Sequence, residues 1–239
     1  MTPAPRRKAW LSWSSGKDCA WALHEIRSQG DSQGAVDVVG LLTTVNSTAN
    51  RVSMHGVRRA LLEEQAASLG LPLHVIELPD PCPNDVYEAR MQAAVDAARC
   101  EGINAIVYGD MFLSDVRAYR EQALAGTGIE PLFPLWGKPT REVARAMVAC
   151  GLRALVTCVD PRQAPSGLAG RWFDEQLLAD LPAQVDPCGE NGEFHTFVVH
   201  GPQFEAALDV EVGEVVERGG FVFADVLPTR ETASRQPDG

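Results

Sequence analysis

Residues 13–19 read WSSGKDC, and they join a short apolar stretch, residues 9–13, to a helical pattern with Cys19, Leu23 and Ile26 on one face. A strand–turn–helix corner of this kind offers unpaired backbone N–H groups at the positive end of a helix dipole. Gly16 permits close approach of a ligand to the backbone. The corner therefore predicts a phosphate-binding loop at the start of the first helix.

The same corner also has a purely structural interpretation, namely a capped helix that follows a turn. Ser14 and Ser15 are typical N-cap residues, and Asp18 is favourable in a first helical turn. On the functional interpretation, the serine hydroxyls donate further hydrogen bonds to a phosphate and the Lys17 ammonium group supplies a positive charge. Asp18 then holds a metal or orders the loop. The spacing is neither that of a Walker A loop nor that of a dinucleotide-binding G-x-G-x-x-G motif.

Strands and helices alternate through the first half of the chain. Strands are predicted at 36–45, 73–78 and 105–108, and helices at 57–69 and 87–98. Alternation of this length is typical of βαβ units, whose right-handed crossovers build a parallel sheet.

A Pro/Gly-rich connection, residues 131–139, ends this alternation. We therefore predict a nucleotide-binding domain at 1–137, a smaller acceptor domain at 138–228 and a polar tail at 229–239. Within the second domain the pattern predicts helices at 140–150 and 170–181, a strand at 152–158, a polar loop at 188–196, and a hairpin of 207–216 with 220–226 joined through Gly219 and Gly220.

The composition excludes several classes of function. The chain of 239 residues has a net charge of −11, which opposes general affinity for nucleic acid or anionic lipid. Its six cysteines form no Cys-x-x-Cys pair, so a zinc site or a thioredoxin-type redox pair is not supported. With no signal peptide and no apolar run of membrane-spanning length, a cytoplasmic protein with reduced thiols is expected.

Two further polar segments follow predicted strands. Residues 108–111 (YGDM) lie at the carboxyl end of the fourth strand, where Asp110 either binds Mg²⁺ or a substrate amine, or caps the next helix. In residues 189–197 (GENGEFHTF), an extended backbone places Glu193, His195 and Phe197 on one face. His195 beside Glu193 is then a general-base candidate with a raised pKa, the alternative being a hydrogen-bonded His at a hairpin entry.

These segments together resemble a known family. Residues 14–19 are similar to the Ser-Gly-Gly-x-Asp-Ser loop of the PP-loop ATPases, with Ser15 at a Gly position and Cys19 at the closing Ser. With 188–197 (CGENGEFHTF), which is similar to a Gly-Glu-Gly-Gly-Glu-Phe/Tyr-x-Thr-Phe signature, the chain resembles the diphthine–ammonia ligase family from about residue 10 to residue 226. The other matching segments are LLTT at 41–44, His55-Gly56, YGD at 108–110 and PLW at 134–136.

The resemblance implies an α/β fold: a Rossmann-like parallel sheet of the adenine nucleotide α-hydrolase type with a smaller C-terminal α+β domain. It implies attack of a substrate carboxylate on the α-phosphate of MgATP, release of pyrophosphate, and displacement of AMP by ammonia to form an amide. Lys17→Ala is then expected to lower AMP formation without unfolding the protein. The implied nucleotide-binding residues are Ser12, Ser14, Ser15, Gly16, Lys17, Asp18, Cys19, Thr43, Thr44 and Gly109. The implied catalytic residues are Lys17, Asp110, Glu190, Glu193 and His195. The candidate ligands for Mg²⁺ are Asp18 and Asp110.

The expected partners are ATP and AMP, ammonia, a carboxylate-bearing small molecule or protein side chain, and a second copy in a homodimer. Diphthine belongs to elongation factor 2 of eukaryotes and archaea, so a bacterial member of the family amidates another carboxylate. Two other classes stay open: a PP-loop tRNA-modifying enzyme, which the acidic charge disfavours, and a non-catalytic ATP- or AMP-binding module.

Overall fold

The computed structural model describes residues 6–30, 35–52 and 56–229, which form two β-sheets and the helices around them. The strands of the first sheet are β1 (Arg7–Ser12), β2 (Val36–Asn46), β3 (Arg51–Val52), β4 (Leu73–Leu78), β5 (Ala105–Val107) and β6 (Glu130–Leu132). The strands of the second are β7 (Arg153–Val159), β8 (Phe194–His200), β9 (Val210–Arg218) and β10 (Phe221–Pro228). The helices are α1 (Lys17–Ser28), α2 (Arg59–Leu69), α3 (Asn84–Cys100), α4 (Ser114–Leu124), α5 (Thr140–Ala149) and α6 (Glu175–Asp180).

The first sheet has the strand order of a doubly wound nucleotide-binding fold. Its parallel pairings give the order β4-β2-β1-β5-β6, and the short β3 runs antiparallel to the end of β2. The chain thus moves outward from β1 to one side and then returns to the other side, with a topological switch point between β1 and β5. The predicted Rossmann-like parallel sheet is confirmed.

Side-chain alternation along β1 explains why helices cover both faces. Leu11 packs into the large core cluster that includes α1, whereas Trp10 packs with Ile106 and Val95 on the opposite face. Both Leu11 and Trp10 are almost completely buried. A parallel strand that is apolar on both faces is stable only with helices on both sides, as here.

The second sheet is antiparallel, with the order β8-β7-β10-β9. Its β9–β10 hairpin turns at Gly219 and Gly220, whose φ angles are 61° and 81°. Two successive positive φ angles are what a tight hairpin turn requires, so the predicted hairpin is confirmed. This separate sheet agrees with the expected smaller C-terminal part.

Strand β8 attaches the second sheet directly to the predicted phosphate loop. The backbone N–H of Val198 donates to the carbonyl oxygen of Ser15 at 2.9 Å. The buried side chain of Gln65, on α2, donates to the carbonyls of Ser15 and Val198 and accepts from the indole N–H of Trp13 at 2.9 Å. The loop is therefore held from two sides.

Some elements differ from the sequence prediction. The connection at 131–139 begins with the last two residues of a strand, because β6 pairs with β5 although Pro131 lies within it; Pro is tolerated in an edge strand. The helix predicted at 170–181 is shorter, consisting of α6 after a 3₁₀ turn at Ser166–Leu168. His55 and most of the tail lie outside the described residues. The division near residue 137 falls between β6 and α5 and stays a prediction.

Within the described ranges, none of the helices is long and apolar enough to cross a membrane.

Candidate active site

A cleft of about 580 Å³ opens at the carboxyl ends of β1, β2 and β5, at the topological switch point. Loop 189–195 of the second half forms its other wall. Ten of the predicted site residues line it: Ser12, Ser14, Asp18, Cys19, Thr43, Thr44, Gly109, Asp110, Glu190 and His195. The other four, Ser15, Gly16, Lys17 and Glu193, lie behind its surface and support it through the contacts described below.

The loop before α1 has a constrained backbone. Gly16 is the N-cap of α1 and is extended, while Ser15 has a φ of +70°. That left-handed conformation is strained for any residue other than Gly, so the Ser at this position is not a neutral replacement. The Ser15 side chain is fully buried, and its hydroxyl has no hydrogen-bond partner among the described residues.

Gly109 allows the end of β5 to approach the start of α1. A Cβ atom at this position would lie 2.9 Å from the carbonyl carbon of Asp18 and 3.0 Å from the backbone nitrogen of Cys19. Backbone atoms cannot move aside cheaply, so a side chain here displaces the first turn of α1. Gly109 therefore sets the width of the cleft between the loop and β5.

The Lys17 side chain points away from the cleft, contrary to its expected role as a phosphate ligand. It is 1% exposed and donates to the main-chain carbonyl of Cys188 and, at 2.9 Å, to Asp18. Its ammonium group lies 5.5 Å and 5.3 Å from the ring centroids of Phe173 and Phe194. Lys17 thus fastens α1 to the second half and orients Asp18, while its backbone N–H donates to Thr196 Oγ1 at 3.1 Å.

Cys19 is a hydrogen-bonded buried thiol. Its Sγ donates to the Gly16 carbonyl at 3.0 Å and lies 3.6 Å from Ser14 Oγ. Burial raises the pKa of the thiol to about 11, despite its place in the first turn of a helix. A reactive-thiolate role, which a helix N-terminus favours in general, is not supported here.

Four residues that line the cleft carry buried polar atoms without a hydrogen-bond partner among the described residues. The atoms are Asp18 Oδ1, Thr43 Oγ1, Asp110 Oδ2 and Arg120 Nε. Arg120 approaches Asp110 at 3.7 Å, which is too long for a hydrogen bond. Burial raises the pKa of both Asp18 and Asp110, against the lowering effect of Lys17 and Arg120 respectively. Unsatisfied buried polar atoms are costly, and their convergence in one cleft indicates a place for a polar ligand.

Glu190 bridges the two halves at the β5 side of the cleft. Its Oε1 accepts a hydrogen bond from the backbone N–H of Met111 at 2.7 Å. Burial raises the pKa of Glu190 to about 7, and the bond from Met111 only partly opposes this. A carboxyl group that titrates near neutrality is suited to accept and return a proton.

Glu193 orders the second-half loop and does not face the cleft. Its buried carboxylate accepts from the backbone N–H groups of Asp186 and Asn191, each at 2.9 Å, and from the Asn191 side chain at 3.0 Å. These bonds fix the turn that presents Glu190 and Asn191 to the cleft. Glu193 is therefore a positioning residue.

His195 lines the cleft, but its predicted raised pKa is wrong. Burial, together with the smaller effect of the nearby Lys17 charge, lowers the pKa of His195 to about 4. The expected partner, Glu193, is engaged by the loop backbone instead. His195 is therefore a neutral imidazole at neutral pH and can accept or donate one hydrogen bond per ring nitrogen.

Sequence reasoning missed several residues of the site. Arg120 is absent from the predicted site, yet it lines the cleft with Tyr87 and Met91 of α3. A signal existed for Arg120, since it follows the YGDM motif at the β5 end by about two helical turns and therefore returns toward that edge. For Gln65, whose contacts lie in distant segments, no local signal existed.

The residues present fit a magnesium ion. The unpartnered oxygens of Asp18 and Asp110 are hard donors, and Mg²⁺ is usually held by one or two carboxylates together with substrate phosphates and water. Across the described parts of the chain, His, Cys, Asp and Glu side chains form no group of three or more that could hold a metal by themselves. The site therefore suits a metal that arrives with a phosphate ligand.

Fold and cleft together define a class: an α/β protein with a doubly wound sheet, a polar cleft at the switch point, and a second antiparallel sheet that closes over it. Comparison with known proteins agrees with the family that the motifs indicate. Residues 139–225 match the model of the diphthamide synthase C-terminal domain.

Similar proteins all carry the name diphthine–ammonia ligase. The chain is 26% identical to that of Homo sapiens over 237 aligned positions, which cover 91% of this chain and 88% of the human protein. It is 24% identical to that of Danio rerio over 94% of both chains, and 27% identical to that of Rattus norvegicus over 61% of this chain and 55% of the rat protein. The predicted resemblance to the diphthine–ammonia ligase family is thus confirmed.

Proposed function

We propose that the protein is an ATP-dependent amide-forming ligase, which adenylates a substrate carboxylate and transfers it to ammonia. The observation that carries the proposal is the convergence, at the switch point of the sheet, of four buried polar atoms without a hydrogen-bond partner among the described residues: Asp18 Oδ1, Thr43 Oγ1, Asp110 Oδ2 and Arg120 Nε. The names of the similar proteins support the choice of reaction.

The chemistry of the cleft changes along the sheet edge, in a way that suits a nucleotide. Beside β2 and β4 the lining is largely apolar, with Leu42, Ile76 and Met91, and this suits a purine base. In the middle, the backbone at the start of α1 suits the phosphates. Beside β5 the lining is charged, with Asp110 and Glu190.

The chain's own residues assist adenylation by placing and neutralising charge. Main-chain N–H groups and the dipole of α1 favour the negative charge that develops on pyrophosphate. Asp18 and Asp110 are the residues that would hold a magnesium ion bound with ATP, which would stabilise the same charge. Lys17 contributes by holding Asp18, not by contacting phosphate.

Glu190 and His195 are the groups available for proton transfer when ammonia attacks. Ammonia must lose a proton as the amide forms, and a Glu190 carboxylate of pKa about 7 can accept it. The neutral His195 imidazole can orient ammonia by accepting a hydrogen bond.

The test is calorimetry with the nonhydrolysable ATP analogue AMPCPP, followed by measurement of AMP and pyrophosphate with ATP, ammonium and diphthine-bearing elongation factor 2 or other carboxylates. Asp110→Asn is expected to lower turnover at least tenfold, whereas Asp115→Asn, on the exposed face of α4, leaves turnover unchanged.

If AMPCPP binds but no carboxylate gives pyrophosphate, the protein is a nucleotide-binding module and not a ligase. If AMPCPP does not bind, the site assignment fails altogether. The proposal also includes a cytoplasmic location, a carboxylate-bearing acceptor and a homodimer. It retains the division into domains at 1–137 and 138–228.

A further inference from the structure

The cleft has a marked imbalance of charge at its β5 side. Three carboxylates, Asp18, Asp110 and Glu190, line it, and burial raises the pKa of each. Among the described residues of the lining, Arg120 supplies the one Lys or Arg side chain. An anionic acceptor that enters such a cleft meets repulsion unless a cation receives it.

The contacts of the Arg120 side chain suit it to bind an anion. Its guanidinium group lies over the ring of Tyr108, with 4.8 Å between Cζ and the ring centroid, and this contact fixes its plane. Its Nε forms an ion pair with Asp110 Oδ2 at 3.7 Å, which is too long for a hydrogen bond, so this buried N–H has no hydrogen-bond partner among the described residues. The group is oriented but its donors are not saturated.

The position of Arg120 along the sheet separates it from the predicted phosphate site. The phosphate loop follows β1, whereas Tyr108 and Asp110 follow β5, on the side away from the apolar half of the cleft. Tyr108 also belongs to the core cluster on the sheet face opposite α1. If the base of a nucleotide occupies the apolar half and its phosphates lie at the loop after β1, a ligand that contacts Arg120 lies on the β5 side of the phosphates.

We propose that Arg120 binds the carboxylate of the acceptor substrate through its planar fork of donors and directs it toward the α-phosphate. This inference rests on the proposed ligase function and names the residue that selects its substrate class. A carboxylate accepts two parallel N–H bonds from a guanidinium group, which fixes both distance and direction. Asp110 is the resting partner that the substrate carboxylate replaces.

The experiment uses 3,3,3-trifluoropropionate as a carboxylate probe, followed by ¹⁹F NMR with and without saturating AMPCPP. Arg120→Gln is expected to weaken probe binding about tenfold or more, the effect of losing a charge-assisted hydrogen bond. Arg120→Lys keeps the charge but not the planar fork of donors, so its affinity for the probe is expected to lie between those of the wild type and Arg120→Gln. Arg117→Gln is the matched control on the same helix, because Arg117 packs on Phe133 and Trp136 outside the cleft.

AMPCPP affinity, measured in parallel by calorimetry, shows whether the Arg120 variants are folded. It also tests the alternative role of Arg120 as a phosphate ligand. The inference is supported if the Arg120 variants bind AMPCPP normally and lose the probe. It is overturned if the wild type does not bind the probe, if Arg120→Gln binds it equally well, or if Arg120→Gln loses AMPCPP to the same extent, since Arg120 would then be a phosphate ligand. Failure of the wild type to bind AMPCPP refutes the proposed function, and the nucleotide-free titration still decides the role of Arg120.

Discussion

The ammonium group of Lys17, the first residue of α1, donates a hydrogen bond to the carbonyl oxygen of Cys188, which is 171 residues away in the sequence. A charge from the first half of the chain is thereby buried among residues of the second half. Burial opposes that charge most strongly, but Asp18, Cys188 and Glu190 together outweigh it, so the pKa of Lys17 is raised. Closure of the cleft and order in the phosphate loop therefore depend on the same side chain.

Lys17→Met is expected to lower the free energy of unfolding by about 3 kcal/mol, because it leaves Asp18 and the Cys188 carbonyl without their buried partner. This replaces the expectation that a Lys17 variant loses activity with its stability intact. Urea denaturation followed by circular dichroism measures the effect. Lys138→Met is the control: Lys138 forms an exposed pair with Glu25 at 2.8 Å, and its loss should cost less than about 1 kcal/mol. Equal stability of the two variants would show that the buried contact contributes nothing.

Ser15→Gly is expected to stabilise the protein by about 0.5–1 kcal/mol. A left-handed φ costs a non-Gly residue roughly 1–2 kcal/mol, and the larger chain entropy of Gly offsets only part of that gain. Ser15→Ala removes the buried unpartnered hydroxyl but keeps the Cβ atom at positive φ, so it should be less stable than Ser15→Gly. The midpoints of urea unfolding compare the two variants, and an Ala variant as stable as the Gly variant would refute backbone strain at this position.

Gly109→Ala is expected to weaken binding of AMPCPP by about tenfold and to destabilise the fold by about 1–3 kcal/mol. The new Cβ atom would collide with the backbone of Asp18 and Cys19, and α1 would move away from β5. Calorimetry measures the affinity. Gly167→Ala is the matched control, because open space surrounds that position, and its stability should change by less than about 0.5 kcal/mol. Unaltered nucleotide affinity in Gly109→Ala would mean that the spacing between α1 and β5 does not shape the site.

The sequence predicted those parts of the molecule that depend on local patterns. The apolar runs and the Gly-terminated helices predicted the parallel sheet, and Gly219 with Gly220 predicted the hairpin turn, because backbone conformation is encoded by neighbouring residues. The strand β6 was missed because it is only three residues long and contains Pro131. Its pairing with β5 comes from tertiary contacts and not from its own propensity.

The directions of individual side chains were harder to predict. The motif correctly placed Asp18 and Cys19 at the cleft, yet it suggested that Lys17 faces a phosphate. The direction of Lys17 depends on Cys188, Phe173 and Phe194, which no pattern near residue 17 reveals. The lowered pKa of His195 likewise follows from its burial in the folded chain and from the charge of the distant Lys17, which no pattern near residue 195 reveals.

The carboxyl group of Glu190 is expected to make stability depend on pH. Its pKa in the folded protein is raised to about 7, above the ordinary value of 4.5, so the folded state binds this proton more tightly than the unfolded state. Stability contributed by the protonated form is therefore present below about pH 4.5 and is lost as the pH rises through 7. Glu190→Gln does not titrate, and its amide oxygen can still accept the hydrogen bond from Met111.

The stability of Glu190→Gln relative to wild type should consequently rise between about pH 4.5 and pH 8 and stay constant below that range. Urea unfolding at a series of pH values measures both proteins, and the subtraction removes the contributions of titrating groups that do not interact with Glu190. Glu101→Gln, at the exposed end of α3, is the matched control. If the stability difference between Glu190→Gln and wild type does not change between about pH 4.5 and pH 8, the Glu190 carboxyl group ionises as it does in solvent. That result would remove Glu190 as the proton acceptor for ammonia.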